Sequence, residues 1–494
     1  MVSDQFKPVE MKKELLCLGK DSIIYGVGSV ITRFVGVFTL PLFTAYLTPE
    51  EYGVLAMLAM LSMVAQPLFS LGLSAAMGPS YFEKDDLTNK SRAVWSVFVI
   101  NIGSASLLVL IAWLFPVSLG ALVRLPVEYS HLVGLSLTGT ALVILVTAFR
   151  QRVQFEKQAR LYVVISVSTA FVAIIVSIYT VVFLGFGVAG MVYGQLAGNL
   201  VAFLAFLAVG IIATTPIFSS RMIKDVLQLG VPLVPSFVFL FIIMHVNKYI
   251  LEWHSGLEAV GVYSIGFNLG MAISVVTGGI ATAWYPFFMS YMSRQDQAII
   301  IFGKILTYYF ITIGIVCVGF FTFANPVVRL LTAEGYYEAY KVVGFIALAN
   351  FSQMLFNFFL PAFYFSKKVK FISVVQFISA LISMPINYYL IYQYSVIGAA
   401  IGVFVGNMAM VILLFSWNNF YKYNNLDICY EWKRIVNIVF MLVLVVVAYS
   451  VLPVFSLNAE FVKSIIFVVL SIVFVFFLLN ETERRFIKNI IEPK

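Results

Sequence analysis

The chain is a succession of apolar runs separated by short polar breaks, and no other feature of it limits the fold so strongly. A helix rising 1.5 Å per residue needs about 20 apolar residues to cross a ~30 Å hydrocarbon core. Bounding the runs by charge, proline and glycine predicts fourteen spans, at 21–46, 52–78, 93–115, 129–149, 161–184, 187–213, 226–250, 258–290, 298–323, 338–362, 371–393, 396–417, 435–453 and 462–480. With 62% hydrophobic and 11% charged residues, against about 25% charged in a soluble domain, the chain has too little polar surface to cover a water-soluble globule. The expected class is an all-α integral membrane protein. No cleavable signal peptide is expected, because the first apolar run is long enough to remain in the bilayer. Cys17, Cys317 and Cys429 are scattered and make neither a disulfide framework nor a metal-ligand spacing.

An even number of spans puts both termini on one side. The tails and even-numbered loops hold 24 lysines and arginines and the odd-numbered side or its edge 5, with Arg33 and Lys304 left inside spans, out of 31 in the chain. The positive-inside rule then predicts cytoplasmic termini. The formal net charge of +8 is thereby topological and calls for no nucleic-acid partner. The longest odd loops, Pro116 to Glu128 and Asn325 to Tyr337, are too short to fold as domains.

The chain also repeats. A shift of 208 residues superposes Glu50, Gly53 and Val54 on Glu258, Gly261 and Val262. The same shift carries Phe155 to Phe363, and Val188, Gly190, Gly194, Gly198 and Asn199 to Val396, Gly398, Gly402, Gly406 and Asn407. An even number of spans separates the copies, so they are parallel repeats about an axis near the membrane normal. The expected organisation is a six-helix lobe over 1–215, a second six-helix lobe over 216–420, and two additional helices with a tail over 421–494.

Residues able to carry chemistry are few. No catalytic residue is assigned: there is no nucleophile motif, phosphate-cradling glycine loop, metal-spaced cluster or cofactor motif, and an enzyme is not expected. Arg33 is the clearest candidate. It lies close to the middle of the first span, where an arginine costs about 2.5 to 3.5 kcal/mol, and such residues normally face a bundle interior, a partner or a wet cavity. Gly26, Ser29, Arg33 and Gly36 share one helical stripe. A guanidinium on such a small-residue face can grip phosphate oxygens bidentately, or it can pair internally with carbonyls or with Gln66; both readings fit the sequence. Lys248 and Lys304 lie near span ends, where each can snorkel, and Lys248 is also a candidate anion contact.

The glycine ladders Gly190, Gly194, Gly198 and Gly398, Gly402, Gly406 follow the small-xxx-small pattern, which predicts close helix packing. Asn199 and Asn407, one residue beyond, are candidates to meet sugar hydroxyls and equally to bond between helices. Carboxylates such as Glu50, Asp225, Glu252 and Glu334 fall at span ends or in loops. An exporter of cations is expected to hold an acid inside a span, so a mid-membrane cation favours an anionic substrate.

Several stretches resemble one family. Gly19-Lys20-Asp21-Ser22, Ile31-Thr32-Arg33-Phe34-Val35-Gly36 and Leu40-Pro41-Leu42-Phe43-Thr44-Ala45-Tyr46-Leu47-Thr48-Pro49-Glu50-Glu51-Tyr52-Gly53 resemble the start of the Wzx-type polysaccharide-unit flippases. Asn247-Lys248-Tyr249-Ile250-Leu251, Glu258-Ala259-Val260-Gly261-Val262-Tyr263-Ser264 and Pro326-Val327-Val328-Arg329-Leu330-Leu331 are similar to later parts of the same family. The resemblance implies a two-lobed fold of about 14 helices in the bacterial cytoplasmic (inner) membrane, shared with lipid II flippases and multidrug and toxin extruders. It implies translocation of an undecaprenyl-diphosphate-linked oligosaccharide for O-antigen, capsule or exopolysaccharide assembly, with membrane lipids and a polysaccharide polymerase complex as partners. The alternative is an ion-coupled drug or metabolite exporter of the same fold. Many relatives carry an acid where Asn247 stands and an arginine where Lys248 stands. The expected substrate-binding set is Arg33, Gln66, Asn199, Asn247, Lys248 and Asn407.

Overall fold

The computed structural model describes residues 24–478 apart from 25, 29, 33, 85, 293–294, 367, 369, 422–427 and 453–456. Among the described residues every regular element is helical. Eleven segments are long and apolar enough to cross a membrane. Two of them are of double length and turn back at Gly256 (φ 80°, ψ 178°) and Ser395 (φ 48°, ψ −120°). With Leu457–Leu478 they resolve into the fourteen helices expected from the apolar runs. These are α1 (Gly26–Tyr46), α2 (Pro49–Phe82), α3 (Leu87–Leu114), α4 (Val127–Phe155), α5 (Ala159–Phe183), α6 (Gly187–Ala213), α7 (234–255), α8 (257–290), α9 (Ala298–Thr322), α10 (Glu334–Phe365), α11 (370–394), α12 (396–417), α13 (Trp432–Val451) and α14 (Leu457–Leu478). The chain divides into two compact units, Met1–Gly261 and Val262–Lys494.

Local sequence explains where helices start. In Thr48-Pro49-Glu50-Glu51, the Thr48 hydroxyl accepts from the Glu51 amide while the Glu51 carboxylate accepts from the Thr48 amide at 2.8 Å. This capping box opens α2, with proline at its first position. Asp86 caps α3 by accepting from the Asn89 amide. Helix α2 is not continuous: Leu71 (φ 50°) and Gly72 (φ 66°) are left-handed and split it into Pro49–Ser70 and Leu73–Phe82. The seventh span differs from its expected limits of 226–250. A separate helix, Ser220–Gly230, precedes it, and the prolines of Val231-Pro232-Leu233-Val234-Pro235 interpose a 3₁₀ turn before α7.

Lipid tails are as apolar as leucine, so packing and hydrogen bonds, not the hydrophobic effect, hold such helices together. In the first unit the span-six ladder is a seam against α5. A methyl on Gly194 would strike Ser177 and the Ala173 carbonyl, and one on Gly198 would meet Ala173 at 2.8 Å. Thr180 donates to the Gly190 carbonyl at 2.9 Å across the same seam. Trp95 donates to the Thr214 hydroxyl at 3.0 Å and packs edge-on against Phe149 at 5.6 Å, inside a core with Phe98, Phe206 and Met222. In the second unit Gly398 and Gly402 repeat the seam against Leu390 and Asn387 of α11. Trp284 donates to the Asn357 carbonyl at 2.9 Å, and Tyr309 to that of Phe351 at 2.8 Å.

The two odd loops too short to fold as domains carry short helices, Pro116–Leu122 and Ala324–Leu331. Part of the polar loop before α13 is also packed: a methyl on Gly303 would overlap the Cys429 carbonyl, and the Cys429 amide donates to Ile299 at 3.2 Å. Burial next to Phe359, Phe415 and Trp432 pushes the Tyr430 phenol above its ordinary range. Large side chains such as Ile212 (86% exposed) and Phe183 (74%) remain uncovered, which a bilayer satisfies and water does not.

Candidate functional site

Arg33 lies outside the described residues. Its neighbours on the predicted stripe are described. A methyl on Gly26 or Gly36 would meet nothing within 4 Å, whereas one on Gly28 would strike Val163 of α5 at 2.7 Å. Helix α1 therefore has one face packed through Gly28 and another, bearing Gly26 and Gly36, bordered by open space.

Helix α7 supplies a second cation. Asn247 is fully buried and Lys248 is 6% exposed, so this amine lies inside the first unit instead of snorkelling to an interface. Both are engaged by neighbouring groups. One turn before Lys248, His245 packs on Phe241 at 5.6 Å between ring centres. One turn after it, Glu252 pairs with Arg124 from the loop between α3 and α4. A buried amine on a rigid helix can hold an anion strongly, since little water competes for it. Lys304, by contrast, is exposed.

The remaining candidates divide between the two units. Gln66 is exposed on α2, one turn before its break at Leu71 and Gly72. Asn199 is half-buried, and its amide donates to the Gly139 carbonyl of α4 at 3.1 Å, a bond between helices. Its repeat counterpart Asn407 is fully buried in the second unit and donates to Val403 of its own helix at 3.0 Å. Both donors are committed to main-chain oxygens.

One polar cluster is not visible in sequence order. Asn325, after α9, donates to both carboxylate oxygens of Glu460 on α14, at 2.8 and 2.9 Å, and accepts from the Arg329 Nε at 3.0 Å. The 135 residues between Asn325 and Glu460 hide this pairing from motif reading. The only available signal was that Arg329, Lys341 and Lys463 are three of the five cations on the odd side or its edge. Among the described residues no group of three histidines, cysteines or carboxylates is placed to hold a metal.

Among the described residues, fourteen helices able to cross a membrane, with glycine seams repeated in both halves, define a polytopic all-helical membrane protein. Residues 18–292 match the family described as polysaccharide biosynthesis protein, more than half of the chain, and the chain belongs to that family. It is 22% identical over 339 residues to the succinoglycan biosynthesis transport protein ExoT of Rhizobium meliloti (strain 1021). That match covers 67% of this chain and spans 65% of the length of the relative. In fold it is similar to the lipid II flippase MurJ in an inward closed conformation, with a TM-score of 0.71 at 14% identity over 91% of this chain and 98% of that one. It is also similar to an inward-facing multidrug resistance MATE family transporter of the MOP superfamily, with a TM-score of 0.63 at 17% identity over 82% and 95% of the two chains.

Proposed function

We propose that the protein is a flippase that moves an undecaprenyl-diphosphate-linked oligosaccharide repeat unit from the cytoplasmic to the outer leaflet, and that it is not an enzyme. The observation that carries this reading is the match of more than half the chain to the polysaccharide biosynthesis family. The whole-chain likeness of its fold to a lipid II flippase supports it. The charge bias between even and odd loops supports cytoplasmic termini in a bacterial inner membrane. We read the two lobes as 1–215 and 216–420, with 421–494 appended, and a polysaccharide polymerase as a partner on the outer side.

In this reading the diphosphate is held by Arg33 and Lys248. Gln66, exposed on α2, presents an uncharged polar group to the sugars, while the lipid tail stays among apolar faces or in the bilayer. The open space beside Gly26 and Gly36 supports a substrate-facing side for the Arg33 stripe, and the burial of Lys248 supports a cation placed inside the fold. Rocking of one repeat against the other exposes the site alternately to the two sides.

The test is genetic and chemical. Deletion is expected to abolish the surface polymer and to accumulate the lipid-linked oligosaccharide on the inner leaflet. Arg33→Ala and Arg33→Glu, inserted at normal levels, are expected to fail to restore the polymer, and Lys248→Gln to restore it poorly. Undiminished polymer in both Arg33 variants would sink the assignment of that residue, and unchanged lipid-linked intermediates in the deletion strain would sink the flippase reading.

A further inference from the structure

The second unit contains a cavity of about 670 Å³, of the size that accommodates a small ligand. Its wall is built from the ends of helices meeting the odd loops: Arg329 after α9, Lys341 at the start of α10, and Glu460 and Lys463 at the start of α14. With Lys341 paired to Glu338, two cations, Arg329 and Lys463, share this wall with the one carboxylate of Glu460. Glu460 is held by the two Asn325 bonds, and among the described residues neither Arg329 nor Lys463 has a carboxylate within ion-pair distance. Lys341 pairs with Glu338.

Arg329 is fixed at one edge only. Its Nε donates to Asn325 at 3.0 Å and its plane lies over Tyr337 at 5.0 Å, so its two terminal amino groups have no acceptor among the described residues. Lys463 donates to the Leu452 carbonyl and sits over the Tyr449 ring at 4.1 Å, which holds the ammonium at the wall. Tyr449 is itself locked, its hydroxyl donating to the Thr322 carbonyl at 2.7 Å. Between the cations stand the aromatic side chains of Tyr340 and Phe345 and the hydroxyl of Ser450. Orienting cations through an amide and an aromatic ring, instead of through carboxylates, leaves their charge available to a ligand. Aromatic side chains with flanking polar groups suit the apolar faces and hydroxyls of a sugar ring.

We propose that this cavity binds an acidic sugar, a saccharide residue carrying a carboxylate or phosphate substituent, with the anion on Arg329 and Lys463 and the ring against Tyr340 and Phe345. The proposal deepens the flippase reading by naming the sugar class, and it rests on that reading for its placement on the outer face.

The full chain, purified in neutral detergent, is titrated with trigalacturonate, with a neutral galactose trisaccharide and with inorganic phosphate. Trigalacturonate is expected to bind at least tenfold more tightly than the neutral trisaccharide. Arg329→Gln and Lys463→Gln are each expected to weaken it by roughly tenfold at unchanged melting temperature. Equal affinity for the two trisaccharides, or wild-type affinity in both variants, overturns the proposal. A second arm uses nanodiscs with and without phosphatidylglycerol. Abolition of trigalacturonate binding by that lipid, with phosphate competing equally well, reassigns the cavity to a lipid headgroup and also overturns it.

Failure of the wider reading is separable. Arg33→Ala protein is expected to bind trigalacturonate normally while failing to export. Ser450→Cys is expected to react with an impermeant thiol reagent from outside intact cells after permeabilisation of any outer membrane; labelling only after inner-membrane lysis overturns the outward placement and leaves the affinities to decide the site.

Discussion

The odd-loop ends of the two units treat charge in opposite ways. In the first unit this end is closed by backbone and by a matched ion pair: a methyl on Gly53 would fall on the Leu257 carbonyl, and one on Gly261 on the Pro49 carbonyl. Positions 49 and 53 become 257 and 261 under the 208-residue shift, so the contact is reciprocal between repeat-related sites. Nearby, Arg124 is neutralised by Glu252. The corresponding end of the second unit opens into a cavity where Arg329 and Lys463 face no carboxylate at ion-pair distance among the described residues. A closed, charge-balanced end fixes helices, and an open, cationic one is suited to a ligand. The difference depends on where carboxylates are spent, since both ends hold cations and acids.

The largest effect is expected at the backbone contact of the first unit. Gly261→Val places a branched side chain against main-chain atoms that cannot rotate away, a clash of the class that costs about 1 to 3 kcal/mol or more. Its folded yield and thermal midpoint in detergent should fall well below those of the wild type. Gly53→Val should do the same, and the double variant should lose less than the sum because both break one contact. A wild-type melting curve for Gly261→Val would show that this end is not closed by backbone.

An intermediate effect is expected from making the second end resemble the first. Asn325→Ala removes both donors to Glu460 and frees that carboxylate to pair with Arg329 or Lys463. Affinity for trigalacturonate should fall several-fold without loss of fold. Glu460→Gln should raise it, by an amount that shrinks with added salt as screening replaces the lost repulsion. Opposite signs for these two variants would sharpen the contrast, and the same sign would break it.

The smallest effect is expected at Arg124. The arginine side chain of the pair is 43% exposed and the glutamate 11%, and pairs open to water on one side contribute roughly 0 to 1 kcal/mol. Arg124→Gln should shift the midpoint little in a detergent melt. A large shift would mean that Glu252 becomes an unpaired buried acid when its partner is removed, placing the pair deeper in the fold than its exposure indicates.

Much of the architecture was legible because it is written locally. Apolar run length gave the number of helices, Thr48-Pro49-Glu50-Glu51 announced the start of α2, and the ladder from Gly190 to Gly198 announced a seam. The left-handed φ of Gly187 recurs at Ser395, 208 residues later, so the repeat preserves a turn even where glycine is replaced. Other features were hidden. The break at Leu71 and Gly72 lies inside an apolar stretch without a charge to mark it, and it is set where Gly72 meets the Gly230 carbonyl. Asn199 and Asn407 occupy equivalent positions in the sequence, yet one amide crosses to Gly139 and the other folds back on Val403. Lys248 looked able to snorkel from a span end, and only its packing shows it buried.

By itself the sequence determined the class of the protein, the count of its spans, the bias of charge between even and odd loops, and the internal repeat, because hydrophobic length and charge act residue by residue along a helix in lipid. Tertiary structure decided which polar groups are consumed in packing and which remain for a ligand. That outcome depends on contacts such as Asn325 with Glu460 and Arg124 with Glu252, between residues more than 100 apart, which neither composition nor periodicity records.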